Sequence, residues 1–506
     1  MTDRVSDRIS LLLLTLLYTV TRLPFLYTQG FPDGDQTHTA VGILDAVQSG
    51  TAFHGTRIYA LAVSPGYHAL WFALQPLYVS HPASFILLLS AVGALAGLGA
   101  QIFLWLLVRR LWSPSAAWLV SLVWLFAPGW WEVTTFGHPS VLAVCCLLGA
   151  MVAMASQAGM GAIVVASLAL TLAVLFRADM ILAAAVFPAL AWLQTRRLRA
   201  TVVAVLVPVV AFTVWALVMR VIHPASSSDG GTGTVQRFFD VIQADPSVYK
   251  KEIAILCLGV GPLSVLLAGL AWLTCLVRRR FDALVIALAL GLPALLWWIH
   301  VEGPFRHMMI VALALVLPAA VLAERRSTAI AVGLGLAVAL ANLVAMHALR
   351  DRLLASYSWT YRAAPGVPRW STRAPLDDWF SSHAAATRGV GDEARWASAL
   401  ARSAVDSVLV VTPLPFRYEF AILERGEPHV YRGRLDSTAI WIDLVSGGKA
   451  YRFLEGDPGP SQAVLDRAAA AGDLRGFSIW IPPDAVPSAG LTIPPGVSEA
   501  QFEGKP

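Results

Sequence analysis

Eleven stretches of this chain stay apolar for about the 20 residues that a helix needs to cross a bilayer. They lie near residues 9–27, 83–108, 114–130, 139–157, 160–176, 179–195, 200–222, 252–277, 281–299, 305–323 and 327–347. A chain built this way must place much of its surface against lipid. Composition agrees, with 57% of 506 residues hydrophobic, 14% charged and a mean hydropathy of +0.65; soluble domains carry roughly a quarter charged residues. The first run is too long for a signal peptide and lacks a small-residue cleavage site, so it reads as a retained anchor.

Charge is distributed unevenly. Residues 1–349 hold 34 charged side chains, 20 basic and 14 acidic, whereas the shorter segment 350–506 holds 35, 17 basic and 18 acidic. The expected fold is therefore an α-helical polytopic membrane domain over 1–349 followed by a small soluble α/β domain over 350–506. The four cysteines (Cys145, Cys146, Cys257, Cys275) all fall in apolar runs and imply no disulfide framework.

Basic residues in short loops set the orientation. Arg4 and Arg8, Arg109 and Arg110, Arg196, Arg197 and Arg199, Arg278 to Arg280, and Arg325 and Arg326 alternate with the spans as cytoplasmic turns should. The opposite loops carry Asp33, Asp35, Asp45, Glu132, Asp179, Asp229, Asp240, Asp245, Glu252 and Glu302. Eleven spans from a cytoplasmic N-terminus place 350–506 outside. The net charge of +5 and the pI near 9.1 thus report topology, and nucleic acid is not an expected partner.

Two outer loops exceed the length of mere connectors. The first runs over 28–82 and contains His38–Gln48 (HTAVGILDAVQ), with Ala40, Val41, Ile43, Leu44 and Val47 on helical spacing, as in a helix lying in the membrane interface. The second, 223–251, includes ASSSDGGTGT, which reads as a mobile segment, either a lid or a linker. In the tail, 350–375 is rich in Arg, Trp, Tyr and Pro and resembles a juxtamembrane connector. Beyond it, Glu393–Ala404 and Tyr418–Arg425 read as helices, and Ser407–Thr412 and Phe477–Ile481 as strands. The tail has no Gly-rich phosphate loop, metal-ligand spacing or nucleophile elbow. It reads as a docking or substrate-guiding cap.

The sharpest local motif is FPDGD, residues 31–35, just outside the first span. Asp33 and Asp35 flank a glycine that permits a tight turn. Carboxylates at a membrane surface can deprotonate an acceptor or hold a divalent cation, although Asp and Gly are turn residues in any case. The loop continues through His54, Arg57 and Tyr59 to SPGYHALW, residues 64–71, which contains Tyr67 and His68.

Here the chain resembles the GT-C superfamily of glycosyltransferases, particularly the protein O-mannosyltransferases and the lipid A aminoarabinose transferases. In that superfamily an acidic pair follows the first span, then an interfacial helix, then a Pro-Gly/aromatic segment leading into the second span. Asp35-Gln36-Thr37 and Pro65-Gly66-Tyr67-His68 occupy those places here. Span order and loop lengths carry the resemblance over about 10–345, and its specific residues lie in 30–75.

The resemblance implies transfer of a sugar from a polyprenyl-phosphate carrier to a lipid, glycan or protein acceptor on the outer face, with inversion at the anomeric carbon. It makes Asp35 the catalytic carboxylate, with Asp33 the second candidate. Gln36 stands where the family often has Glu, which puts a two-carboxylate metal scheme in doubt; a divalent cation is the one cofactor considered.

Arg57 is placed to meet carrier phosphate or to lie on a solvated rim. Phe305-Arg306-His307 matches an Arg-aromatic pair that the family uses on carrier phosphate, and Arg306 could also simply snorkel. In WWEVTTFGHPS, residues 130–140, His138 holds roughly the position of an acidic residue in related transferases, with Glu132 earlier. His138 reads as a base, an acceptor contact or a hydrogen-bonded interfacial histidine. Arg177 and Asp179 read as a self-neutralising pair at a membrane boundary. The short basic N-terminus and Ala/Arg-rich composition suggest a bacterial inner membrane with a periplasmic tail. A polytopic transporter or lipid flippase is the competing class, but no internal repeat and no mid-span cluster of ionisable groups supports it.

Overall fold

The computed structural model describes residues 2–23, 26, 43, 64–78, 84–156, 159–222, 253, 256–298, 305–357, 399–400, 406–412, 422, 429–431, 441–455, 458–480 and 492–499. The interfacial helix expected at His38–Gln48, except for Ile43, and the loop 223–251 lie outside these residues. So do 358–375 of the expected connector and most of both helices expected at 393–404 and 418–425.

The first part of the chain is a helical bundle. Its elements are α1 (Thr2–Arg22), α2 (Pro65–Ala73), α3 (Ser84–Leu111), α4 (Pro114–Leu125), α5 (Pro128–Phe136), α6 (Pro139–Ser156) and α7 (Met160–Phe176). A 3-10 segment, Ala178–Ala183, leads to α8 (Val186–Thr195), α9 (Leu198–Ile222), α10 (Pro262–Val277), α11 (Phe281–Trp298), α12 (Phe305–Val316) and α13 (Thr328–Tyr357). Each of the eleven apolar stretches carries helix. Among the described residues, four segments are long and apolar enough to cross a bilayer: Ser84–Leu111, Pro139–Ser156, Ala178–Thr195 and Leu198–Val221.

Lipid exposure shows in the surface. Leu12, Leu16 and Val20 on α1, and Leu198, Val202, Leu206 and Val221 on α9, stand open, while Arg22, His138, Arg177 and Asn342 are buried. Contiguous open apolar faces around buried polar groups suit a protein whose solvent is hydrocarbon.

Several boundaries depart from the apolar runs for local reasons. The run at 114–130 is broken: α4 and α5 meet at a 72° bend. Pro128 is the cause, since it disfavours helical backbone at the residue before it, and Ala127 is extended at ψ 121°. In the run at 252–277, Gly261 sits at φ 96° and Pro262 begins α10. Helix α13 passes position 347 and continues to Tyr357, through a stretch rich in Ala, Leu and Arg, which are strong helix formers.

The two ends of the bundle differ in chemistry. At one, the basic turns pair with acids: Arg109 with Asp7 at 3.2 Å, and Arg280 with Asp282 at 2.9 Å and with Glu324. Arg110 donates to the Val152 carbonyl at 2.9 Å and to Ser156 there. The other end gathers buried polar groups around the turn between α5 and α6.

Glycines let the backbone close up at that second end. A Cβ on Gly93 of α3 would lie 2.3 Å from the Gly137 Cα, and one on Gly97 would lie 2.6 Å from the Thr134 side chain. Small residues four apart are the usual device for close packing in lipid, where no hydrophobic force drives helices together.

A six-stranded sheet follows, ordered β2-β3-β4-β1-β5-β6, from β1 (Ser407–Thr412), β2 (His429–Tyr431), β3 (Trp441–Ser446), β4 (Lys449–Glu455), β5 (Ser478–Trp480) and β6 (Ser498–Glu499). β1 runs parallel to both β4 and β5. β3 and β4 form a hairpin closed by Gly447 (φ 58°) and Gly448 (φ 80°), as a two-residue turn with positive φ requires. Alternation along β1 is strict. Leu409 and Val411 pack with Leu454, Ile479 and Val464 and Leu465 of α14 (Pro458–Ala470). Val408 and Val410 belong instead to an apolar cluster with Tyr451, Phe453 and Trp480 that continues to Tyr67, Trp71, Tyr78 and Phe85.

Replacing Gly93 by Ala should lower thermal stability by about 1–3 kcal/mol, as overpacking does, because the new methyl meets backbone rather than a movable side chain. Gly269, with nothing within 4 Å of a Cβ, should accept Ala without loss. Melting curves of the two purified variants in one detergent make the comparison, and equal melting points would sink it.

Candidate functional site

The turn joining α5 to α6 holds the candidate site together. Gly137 ends α5 at φ 71°, and a Cβ there would lie 2.1 Å from the Leu89 carbonyl oxygen. Only glycine combines that left-handed backbone with that clearance. The Gly137 carbonyl accepts from the Tyr67 hydroxyl at 2.9 Å, so α2 and the turn before α6 are tied directly. Ser90 of α3 donates to the Thr135 carbonyl. Gly66 lets α2 approach the backbone of α7, where its Cβ would be 3.0 Å from Leu175.

His138, 4% exposed, follows the glycine. Its Nδ1 accepts from the Ser140 backbone N–H at 3.1 Å and lies 2.8 Å from Ser140 Oγ. Arg177, buried at the C-terminal end of α7, donates through Nη1 to Ser140 Oγ and through Nε to Asp179 at 2.7 Å. A continuous polar chain therefore runs from Asp179 through Arg177 and Ser140 to His138.

His68 lies one residue beyond Tyr67, buried in α2. Its Nδ1 donates to the Ser64 carbonyl at 3.0 Å, and burial pushes its pKa below the ordinary histidine value, with the bond to Ser64 opposing. The two histidines thus hold opposite tautomers: His68 carries its proton on Nδ1 and His138 accepts there.

Arg22, at the end of α1, is 1% exposed. It donates from Nε to Thr134 Oγ1 at 3.1 Å, from Nη1 to Thr21 Oγ1 at 3.1 Å and from Nη2 to the Leu125 carbonyl at 2.6 Å. Its guanidinium also lies 4.0 Å from the ring centre of Trp131 and 5.0 Å from that of Tyr18, a cation–π arrangement. The orphan carbonyl of Leu125 exists because the chain bends at 126–128, so the bend and the buried arginine complete each other.

Of the residues singled out from sequence, the structure brings Tyr67, His138, Arg177 and Asp179 together at one turn, and His68 lies beside Tyr67 with its bond to Ser64. Glu132 lies on α5 and Arg306 at the start of α12; they are placed by backbone alone. His307, half-buried, sits beside Arg306, and α12 packs against α5 and α6. Asp33, Asp35 and Arg57 lie outside the described residues. Sequence reasoning missed Arg22, Ser140 and Thr134. Arg22 had a signal: it is a lone basic residue near the far end of the first apolar stretch, apart from Arg4 and Arg8 before it. Among the described residues no group of three His, Cys, Asp or Glu side chains lies close enough to hold a metal ion.

Two crystal structures of ArnT from Cupriavidus metallidurans share this architecture. The one bound to undecaprenyl phosphate is 15% identical, with a TM-score of 0.51 over 80% of this chain and 84% of that chain. The apo state is also 15% identical, with a TM-score of 0.52 over 82% and 85%. The oligosaccharyltransferase of Archaeoglobus fulgidus in its apo form is 11% identical over 83% of this chain and 64% of that chain, at a TM-score of 0.43. No family model matches the sequence, and no curated protein is similar to it at the sequence level. The resemblance to the lipid A aminoarabinose transferases, drawn above from residues 30–75, therefore extends to the fold along most of both chains.

Tyr67→Phe removes the donor to a buried carbonyl, which should cost about 1–3 kcal/mol. Gly137→Ala adds a left-handed penalty of roughly 1–2 kcal/mol to a backbone clash and should be the worse of the two. Denaturation of the variants, followed by tryptophan fluorescence, tests that order; a Gly137→Ala protein as stable as wild type would refute the account of the turn.

Proposed function

We propose that this protein is an integral-membrane glycosyltransferase that moves a sugar, hexose or pentose, from a polyprenyl-phosphate carrier to a lipid, glycan or protein acceptor, with inversion. The observation that carries the proposal is the fold shared with ArnT of Cupriavidus metallidurans, whose crystal structure holds undecaprenyl phosphate. The gathering of polar side chains at one end of an apolar bundle adds to it, because a lipid-linked donor must meet its acceptor at a membrane surface.

In this reading all eleven apolar stretches cross the bilayer, and residues 350–506 form a periplasmic α/β domain of a bacterial inner-membrane protein. The basic turns, including the Arg109–Asp7 and Arg280–Glu324 pairs, then face the cytoplasm. The end bearing Tyr67, His138 and Arg177 faces outward.

The chemistry divides among named groups. The acceptor hydroxyl or amine loses a proton as it attacks the anomeric carbon, and Asp35, with Asp33 as its neighbour and second candidate, takes that proton. The carbon–oxygen bond to the carrier breaks as the new bond forms, and the departing phosphate gains negative charge. Arg57, Arg306 and His307 stabilise that phosphate by charge-assisted hydrogen bonds. Tyr67, His68, His138 and Glu132 line the acceptor side.

Native mass spectrometry of the purified protein tests the carrier site. A polyprenyl phosphate that copurifies with wild type and is lost in Arg306→Ala is the expected result. Other lipids only, unchanged by the substitution, would move the assignment toward transport or lipid flipping. In a transfer assay with lipid-linked sugars, Asp35→Asn should reduce the rate by about a hundredfold or more, the contribution of a positioned proton acceptor; full activity in that variant would remove Asp35 from the mechanism.

A further inference from the structure

The basic end of the bundle carries more positive charge than its acids consume. Two of its turns, the one between α10 and α11 and the one just before α13, are tied together by Arg280. Its Nη1 meets Glu324, while Nε and Nη2 donate to Asp282 at 3.1 and 2.9 Å. Both carboxylates of these turns are thereby spent on one arginine. Arg278, Arg279, Arg325 and Arg326 stand exposed around it, and among the described residues none of them pairs with an acid. Five arginines against two acids leave the two turns a surplus of three positive charges.

One of these arginines is held where glycine would be easier. Arg279 is left-handed at φ 53°; its N–H bonds to the Leu276 carbonyl at 3.2 Å, and the next N–H to the Cys275 carbonyl at 2.8 Å. That closure ends many helices, with glycine at the left-handed position. Among the described residues the Arg279 guanidinium makes no hydrogen bond, so the side chain does not hold the turn. What arginine adds there is a charge presented at the helix end. Arg196, at φ 50°, repeats the device at the end of α8. It lies on the same face of the bundle, because Gln194 donates to the Ala155 carbonyl beside the Ser156 that Arg110 reaches.

The surface next to the exposed arginines is apolar. Val277 is 74% exposed and Phe281 59% exposed, immediately before and after Arg278–Arg280. Along α10, Leu266, Leu270, Leu273 and Val277 form an open stripe at helical spacing that runs up to Arg278. On α13, which packs against α10, Ile330 and Leu334 begin a second stripe below Arg325 and Arg326. A water-soluble anion would meet these guanidinium groups but would gain nothing from the stripes. A molecule with a phosphate head and hydrocarbon chains fits both, since guanidinium pairs with phosphate in a bidentate fork and the chains can lie on the leucines.

We propose that Arg278, Arg279, Arg325 and Arg326 form a binding site for the headgroup of an anionic phospholipid, whose chains follow the open faces of α10 and α13. A zwitterionic lipid brings its own cation beside the phosphate and leaves the surplus charge unmatched, so the site selects for net negative headgroups. Arg280, Glu324 and Asp282 hold the two turns at the spacing the headgroup meets. The site lies at the end of the bundle away from Tyr67 and His138, and it does not depend on the transferase reading above.

The test uses the full chain in nanodiscs made from equal parts of phosphatidylglycerol and phosphatidylcholine, released in a native mass spectrometer so that retained lipids are counted by mass. Wild type should retain phosphatidylglycerol over phosphatidylcholine, and added salt should weaken the preference. Each arginine replaced by glutamine should lower phosphatidylglycerol retention about fivefold, the worth of one basic side chain at a membrane surface. The four lysine replacements should keep most of the preference. Arg220→Gln, at the opposite end of α9, should leave it unchanged. Equal retention by wild type and the fourfold glutamine variant overturns the site, as does a loss of equal size in Arg220→Gln.

Arg279→Gly keeps the proposal testable if the fourfold variant does not fold. Glycine relaxes the left-handed turn, so this variant should melt at the wild-type temperature or above in lipid-free detergent and still lose the fivefold in lipid retention. A lower melting point with lipid retention unchanged would make Arg279 a structural residue and overturn its part in the site. Tripolyphosphate bound by wild type as tightly as phosphatidylglycerol would overturn the assignment to a lipid. A protein that transfers no sugar still gives the lipid count, so failure of the transferase reading and failure of this site are told apart.

Discussion

The organisation of this molecule depends on a contact between backbones. Where Gly93 of α3 meets Gly137 there is no room for a single methyl group, and the Gly137 turn in turn leaves none beside Leu89. In water, burial of apolar area would press helices together whatever their surface. In lipid the neighbouring hydrocarbon is as apolar as a leucine, so contact distance and hydrogen bonds decide the packing. The glycines bring α3 against the end of α5, and that approach puts Tyr67, Ser90 and His138 within reach of one turn.

The same end solves the problem of buried polar groups in two different ways. Arg177 has an acid, Asp179, and also donates to Ser140. Arg22 is held by hydroxyls, a carbonyl and two aromatic faces. Neutral partners disperse a charge without cancelling it. His68 and His138, on neighbouring segments, hold opposite ring tautomers.

Much of the fold could be read from the chain because its signals are local. Apolar length marked the helical stretches of the bundle except α2, which fell in the long loop 28–82, and the run SVLVVT marked β1 at its observed limits, since both faces of that strand are covered. The bend at 126–128 escaped a reading based on average apolarity, although Pro128 carried it. The β3–β4 hairpin was missed despite the Gly-Gly pair at its tip, because its strands WIDLVS and KAYRFLE mix charge with apolar residues. In the site, Tyr67, His138, Arg177 and Asp179 could be suspected one by one. What joins them, the Ser140 hydroxyl and the Gly137 carbonyl, has no mark in sequence, because serine and glycine are ordinary residues until a fold gives them neighbours.

The position of Arg22 bears on how the chain is assembled. Its carbonyl partner at Leu125 lies 103 residues downstream, and its hydroxyl partner Thr134 lies 112 residues downstream. While those residues are still being synthesised, the end of the first helix carries a charge that has no place in hydrocarbon. The guanidinium gains these two partners only once α4 and α5 have been made. An early helix is thus tied into the bundle by a bent helix pair made later.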